Sequence, residues 1–222
     1  MAKVDFALIG DSHAGAIGRA ARARDLRFHG GPLASARSFY SDFFEAGPDG
    51  LRFTDAEVQE MHAQLCALLE IPTLSQVQVP LISTIGSGFH VPATGALWSS
   101  FVRPDGGFEA GFVGSDLCAA ICDRMLGPML GFHALLIGHG IGVRFVLPPQ
   151  RVPDTSNALI QTLIQTRAVA ALTDLGCTII DMRASTCDAQ GRQLPAFCED
   201  KDPLHANTAM GEQVLRGCGF VA

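Results

Sequence analysis

Short apolar runs closed by glycine or proline alternate along this chain with longer stretches in which apolar residues return at helical spacing. Val4 to Ile9 reads as a short buried strand, with Phe6 and Leu8 on one face and Ala7 and Ile9 on the other. Gly10, Asp11, Ser12 and His13 break it as a turn, and Ala14 to Arg24 favours helix. "LRFHGGPL" predicts a second strand ending at Gly30 and Gly31, and "SFYSDFFEAGPDGLRF" a long, irregular, aromatic connection. A capping box, Thr54 to Glu57, opens a helix carrying Val58, Met61, Leu65, Leu68 and Leu69 on its apolar face, with His62 read as a surface position. "VQVPLISTIG" predicts a third strand ending at Gly86, and 87–114, with Trp98, an irregular excursion. Helical segments "SDLCAAICDRML" and "PMLGFHALLIGH" follow, then a fourth strand "VRFVLPP", a long helix "NALIQTLIQTRAVAALTDLG", a fifth strand "CTIID" and a closing helix "NTAMGEQVLRGC".

Strands that alternate with helices throughout need crossover connections, which make the sheet parallel and cover both its faces. The expectation is a three-layer α/β/α sandwich in one domain, 1–222. Ligands of such sheets bind beyond the carboxyl ends of the strands. The segments expected there are Asp11 to His13, Gly30 to Pro32, Gly86 to His90, Pro148 to Arg151, and the chain after Asp181.

Composition narrows the partners. A 222-residue chain with 48% hydrophobic residues fills one sizeable core. A formal net charge of −6, with no basic cluster longer than "RAARAR", argues against nucleic acid. The apolar stretch Met125 to Pro149 contains Pro128, His133, His139 and Arg144 and divides into helix, glycine turn and strand, so no membrane span is expected. "MAKVDF" has no apolar signal core, and seven scattered cysteines fit reduced thiols, so the cytoplasm is the default compartment. Cys118 and Cys122 read as helix-packing residues, and no cofactor or metal is expected.

Candidate chemistry gathers at the first turn. Gly10 and Gly15 have the spacing of a phosphate loop, but no lysine follows, and the glycines lack the close pair of a dinucleotide fingerprint. There remains a serine at a strand-to-helix turn, where backbone N–H groups can hold an oxyanion; the competing reading is that Ser12 caps the helix. A serine nucleophile needs a base and an orienting carboxylate, and "CEDKDPLHAN" places Asp202 three residues before His205 in a polar loop.

With Gly10-Asp11-Ser12 at one end and Asp202-Pro-Leu-His205 at the other, the chain resembles the SGNH hydrolase superfamily, the GDSL-type esterases and lipases. The resemblance implies a flavodoxin-like five-stranded sheet of order 2-1-3-4-5, Ser12, Asp202 and His205 as catalytic residues, and no cofactor. It also implies hydrolysis of a small acyl ester, acetyl among the possibilities, through an acyl-serine. The substrate would be a small-molecule acyl ester or an acylated saccharide. The oxyanion hole would be built from Ser12, Gly30 or Gly31, and Gly86. The family's Gly-x-Asn-Asp block aligns with Gly86 to Phe89, "GSGF", and lacks its asparagine; one lost oxyanion donor typically costs ~10²–10³ in kcat. Ser87 or His90 are candidate substitutes, and Asp11, His13, Ser87 and His90 are candidate substrate contacts. The departure keeps two alternatives open: a catalytically weak binding protein of this fold, and an acyltransferase to a saccharide. The aromatics Phe39 to Phe44 and Trp98 either wall the pocket or seal the core.

Overall fold

The computed structural model describes residues 4–47 and 50–221. Strand β1 (Phe6–Gly10) is buried at every position, Phe6 and Leu8 in one core and Ala7 and Ile9 in the other, as the alternation requires. After a two-residue turn comes α1 (His13–Ala23), then β2 (Phe28–Pro32). The connection to the third strand of the main sheet holds a 3₁₀ turn (Ala36–Tyr40), a hairpin of β3 (Phe44–Gly47) and β4 (Gly50–Phe53), and α2 (Ala56–Leu68). Then follow β5 (Leu81–Ser83), α3 (Gly95–Trp98), α4 (Asp116–Gly138), β6 (Val143–Val146), α5 (Ala158–Leu175), β7 (Thr178–Ile180) and α6 (Arg183–Thr186). A hairpin of β8 (Cys198–Glu199) and β9 (Asp202–Ala206) leads into α7 (Thr208–Gly217).

The main sheet runs β2-β1-β5-β6-β7 with every pairing parallel; counting only its own strands, this is the expected order 2-1-3-4-5. Helices α1 and α7 cover one face through Ala14, Ile17, Met210, Val214 and Leu215. The other face packs against α2, α4 and α5 through Leu65, Leu126, Phe132 and Ile164. Burying side chains of this size stabilises the fold by ~1.5–3 kcal/mol each, which accounts for a β1 that is apolar on both faces. Cys118 and Cys122 are fully buried in α4, as their packing role predicts.

Several local expectations are corrected. The aromatic connection is not irregular: it forms the β3–β4 hairpin, with Phe39, Phe43 and Phe53 sealed in the core. Trp98 is also core, its indole N–H donating to the Pro92 carbonyl at 2.7 Å. Asp55, rather than Thr54, caps α2, accepting from the N–H groups of Glu57 and Val58, while the Thr54 hydroxyl donates to the Asp42 carbonyl. His62 is buried, not exposed, with its ring edge-on to Phe53 and Nε2 accepting from the Leu74 N–H.

The two helical segments around Pro128 are one helix, α4. Proline removes one intrahelical bond, to the Arg124 carbonyl, and the buried Leu126, Met129 and Phe132 on either side offset that loss. By length and composition alone α4 is apolar enough to cross a membrane. Here it lies against the sheet, with Phe132, His133 and Leu136 fully buried. Asp202 and His205 do not sit in a loop; they lie on β9, paired with β8.

Candidate active site

The end of β1 is shaped by Thr84, the residue after β5. Its hydroxyl accepts from the Asp11 N–H at 3.1 Å and donates to Asp11 Oδ1 at 3.1 Å. Gly10 leaves room for this contact, since a Cβ there would lie 1.8 Å from Thr84 Oγ1. Asp11 Oδ1 also accepts the His13 N–H at 3.0 Å, and the N–H groups of Ala14 and Gly15 bond back to the Asp11 and Ser12 carbonyls. Among the described residues the Ser12 N–H has no acceptor, as is usual for an N–H at the start of a helix. Ser12 makes no side-chain cap bond, which removes the helix-cap reading.

The Ser12 hydroxyl instead meets His205: Oγ lies 2.9 Å from Nε2, across 193 residues of sequence. Nδ1 of the same ring lies 2.5 Å from Asp202 Oδ2. With Nδ1–H donating to the carboxylate, Nε2 is the acceptor for the serine proton. Asp202 Oδ1 accepts the Leu204 N–H at 3.1 Å, which fixes the carboxylate within its own strand. The imidazole N–H holds the Asp202 carboxyl below the usual carboxylate range, so it is ionised at neutral pH.

The hairpin carrying these two residues is tied down at both ends. Arg19 of α1 donates to Glu199 Oε1 at 2.6 Å and to the Ala206 carbonyl at 3.0 Å. Asn207 caps α7 through Met210 N–H and donates its amide to the carbonyls of Ala196 and Cys198.

Ser12 and His205 open onto a cleft of about 390 Å³ lined also by His13, Ser35, Ala36, Arg37, His90, Val91 and Leu204. A separate groove, bounded by Arg151 to Asp154, shares Leu204 with it. A larger depression, about 510 Å³, lies at the opposite end of the sheet around Val79 and His139, away from the serine–histidine–aspartate chain. No thiol lines the cleft, and burial pushes Cys66, Cys177 and Cys218 up to about 11 and Cys122 to about 12, which leaves them protonated. Among the described residues no three His, Cys, Asp or Glu side chains converge as metal ligands.

The predicted glycines do not reach this cleft. Gly30 and Gly31 lie within β2, paired with Leu8 and Ile9, several residues short of the level of Ser12. Gly30 is needed for close strand approach, since a Cβ would lie 2.0 Å from the Leu8 carbonyl oxygen. What faces Ser12 from β2's side is the later segment Ser35 to Arg37. Gly86 packs against Met129, and its carbonyl accepts from the Tyr40 hydroxyl at 2.7 Å. Ser87 is fully buried with an unpartnered hydroxyl and does not line the cleft. Asp11 is likewise fully buried, which removes it as a substrate contact. His13 is mostly buried, its ring centroid 6.1 Å from that of His205. At the position of the absent asparagine, a Cβ on Gly88 would lie 2.4 Å from Ala36 Cβ, so no side chain fits there without a shift. Thr84 and Ala36 carried no sequence signal, because their roles depend on contacts between distant loops.

No protein-family model matches the sequence, and no curated protein matches it significantly. Solved structures do. One is a GDSL-like lipase from Bacteroides thetaiotaomicron VPI-5482, 11% identical with a TM-score of 0.52, covering 97% of this chain and 86% of that one. Another, from Desulfitobacterium hafniense DCB-2 and assigned to the G-D-S-L lipolytic family, is 10% identical with a TM-score of 0.53, covering 97% of this chain and 99% of the other. A third, assigned as an SGNH hydrolase from Slackia heliotrinireducens, is 10% identical with a TM-score of 0.51, covering 97% and 96%. The chain therefore has the fold of the SGNH hydrolases.

Proposed function

We propose that this protein is a serine ester hydrolase of the SGNH type, with Ser12 as nucleophile, His205 as general base and Asp202 as the group that orients it. The observation that carries the reading is the hydrogen-bonded chain Ser12 Oγ, His205 Nε2, His205 Nδ1, Asp202 Oδ2 at the carboxyl end of β1, open to solvent on the serine side. As Ser12 Oγ attacks the ester carbonyl, His205 Nε2 takes its proton and the ionised Asp202 stabilises the imidazolium. The carbonyl electrons move to oxygen, where the unconsumed Ser12 N–H is a donor. Collapse expels the alcohol, protonated by His205, and leaves an acyl-serine. Water, deprotonated by the same histidine, then releases the acid.

The modest, open cleft favours a small acyl group, acetyl among them. The neighbouring groove on the other side of Leu204 is a place for an acceptor alcohol, so acyl transfer to a saccharide is the second reading. Turnover of p-nitrophenyl acetate by wild type, and its fall to background in a folded Ser12→Ala variant, tests the assignment. Unchanged turnover in Ser12→Ala refutes it. Product analysis with and without an added saccharide separates hydrolysis from transfer.

A further inference from the structure

We infer that His90 donates its imidazole N–H to the oxyanion formed on Ser12's substrate, as the side-chain partner of the Ser12 backbone N–H. This rests on the esterase reading above and specifies how its oxyanion is held.

The turn after β1 offers one unconsumed backbone donor, the Ser12 N–H, because Asp11, His13, Ala14 and Gly15 all use theirs internally. A developing alkoxide in a partly closed cleft is held far better by two fixed donors than by one. The polar side chains lining the cleft, apart from Ser12 and His205, are those of His13, Ser35, Arg37 and His90. His13 is mostly buried, with its Nδ1 enclosed, and its ring also lines the apolar space between α1 and α7, beside Ile17 and Met210. The Ser35 hydroxyl is engaged with that of Ser38 at 3.3 Å. Arg37 is an exposed, unbraced side chain on the 3₁₀ turn, poorly suited to a fixed position.

His90 differs from all three. Its backbone is braced, the carbonyl accepting from the hydroxyls of Ser156 at 2.8 Å and Thr94 at 3.4 Å. Its ring is half-buried and has no hydrogen-bond partner among the described residues. Cε1 lies 3.5 Å from the point where a side chain on Gly88 would begin, so the imidazole stands beside the place vacated by the missing asparagine. Burial, and after it the neighbouring His13, lowers its basicity; Asp11 opposes the effect and His205 adds to it. A neutral imidazole still carries one N–H donor, and it neither competes with His205 for the serine proton nor repels the imidazolium that forms.

The test compares wild type with His90→Ala, His90→Gln and His90→Phe on p-nitrophenyl acetate, each checked for folding by circular dichroism. Expected are a ~10²–10³-fold loss of kcat in His90→Ala and His90→Phe with KM within a few-fold, and recovery of at least tenfold in His90→Gln, which restores an N–H donor. A kcat within threefold of wild type in His90→Ala, a loss borne by KM alone, or equal losses in the Gln and Phe variants would overturn the assignment. If His90→Ala does not fold, the Gln against Phe comparison decides. The two readings fail separately: wild type that neither turns over ester nor takes a phosphonyl adduct on Ser12 removes the esterase and His90's role with it. An active wild type matched by His90→Ala removes only the latter.

Discussion

Asp11 and Thr84 show how one residue places the serine beside it. A fully buried carboxylate one position before Ser12 is held by the Thr84 hydroxyl and the His13 N–H, and it keeps the turn from relaxing into α1. Thr84→Val keeps the shape and deletes both hydroxyl bonds, leaving the buried Asp11 N–H unsatisfied and Asp11 Oδ1 with the His13 N–H alone. We expect a loss of about 1–3 kcal/mol in urea unfolding, together with lower turnover, and near-recovery of both in Thr84→Ser. Equal stability of the valine variant would show that the pair does not set the turn. At this scale the sequence spoke clearly only where chemistry demands rare residues in a fixed pattern. Gly-Asp-Ser and Asp-x-x-His mark Ser12, Asp202 and His205, which the fold brings together. Gly30 and Gly31 stood out for the same reason, yet the missing side chain of Gly30 serves strand packing, and a Cβ on Gly31 would meet nothing within 4 Å. A threonine or an alanine that matters only through a contact made 50 or more residues away leaves no such mark.

Among elements, the pair α1 and α7 matters most, because α1 begins just after Ser12 and α7 just after the hairpin that carries His205. Their approach depends on Gly211: a Cβ there would lie 2.2 Å from the Ala16 carbonyl oxygen, which is backbone and cannot swing aside. Gly211→Ala should push α7 away from α1, costing about 1–3 kcal/mol despite the better helix propensity of alanine. Turnover should fall more than stability suggests, since a shift of about 1 Å at the serine–histidine contact can cost ~10²-fold. Chemical denaturation and kcat measured on the same preparation check both halves; unchanged turnover would mean that the hairpin is positioned independently of α7. The main strands and long helices were legible because each repeats its pattern over several residues. The β8–β9 and β3–β4 hairpins were not, being short, rich in charge or aromatics, and interrupted by proline or glycine. The cap of α2 was misplaced by one residue for a similar reason: Thr54 and Asp55 are both good caps, and the Thr54 hydroxyl is drawn to the Asp42 carbonyl.

Over the whole molecule, the parallel sheet covered on both faces follows from the alternation of strands and helices, while the strand order came only from the resemblance carried by the two end motifs. What the pattern could not convey is the state of groups that the fold encloses. His133 is fully buried between the layers, its Nε2 3.0 Å from the Ser83 hydroxyl and its Nδ1 2.8 Å from the Met129 carbonyl, and burial pushes its pKa down to about 4. The unfolded chain takes up a proton near pH 6.5 while the folded one resists until about 4, so stability is full above 6.5 and declines as pH falls through that window. For this residue alone the decline amounts to roughly 2 kcal/mol by pH 5. Unfolding free energies at pH 7.5 and 5.0 should therefore differ less in His133→Gln than in wild type by about that amount; parallel declines would contradict it. The central claim, that the fold joins two distant motifs into one activated serine, is tested most directly by incubation with a fluorophosphonate followed by intact-mass measurement. One adduct per chain on wild type, absent from folded Ser12→Ala and strongly slowed in His205→Ala, is the predicted result. A folded wild type that takes no adduct, or an adduct that persists in Ser12→Ala, would contradict the account.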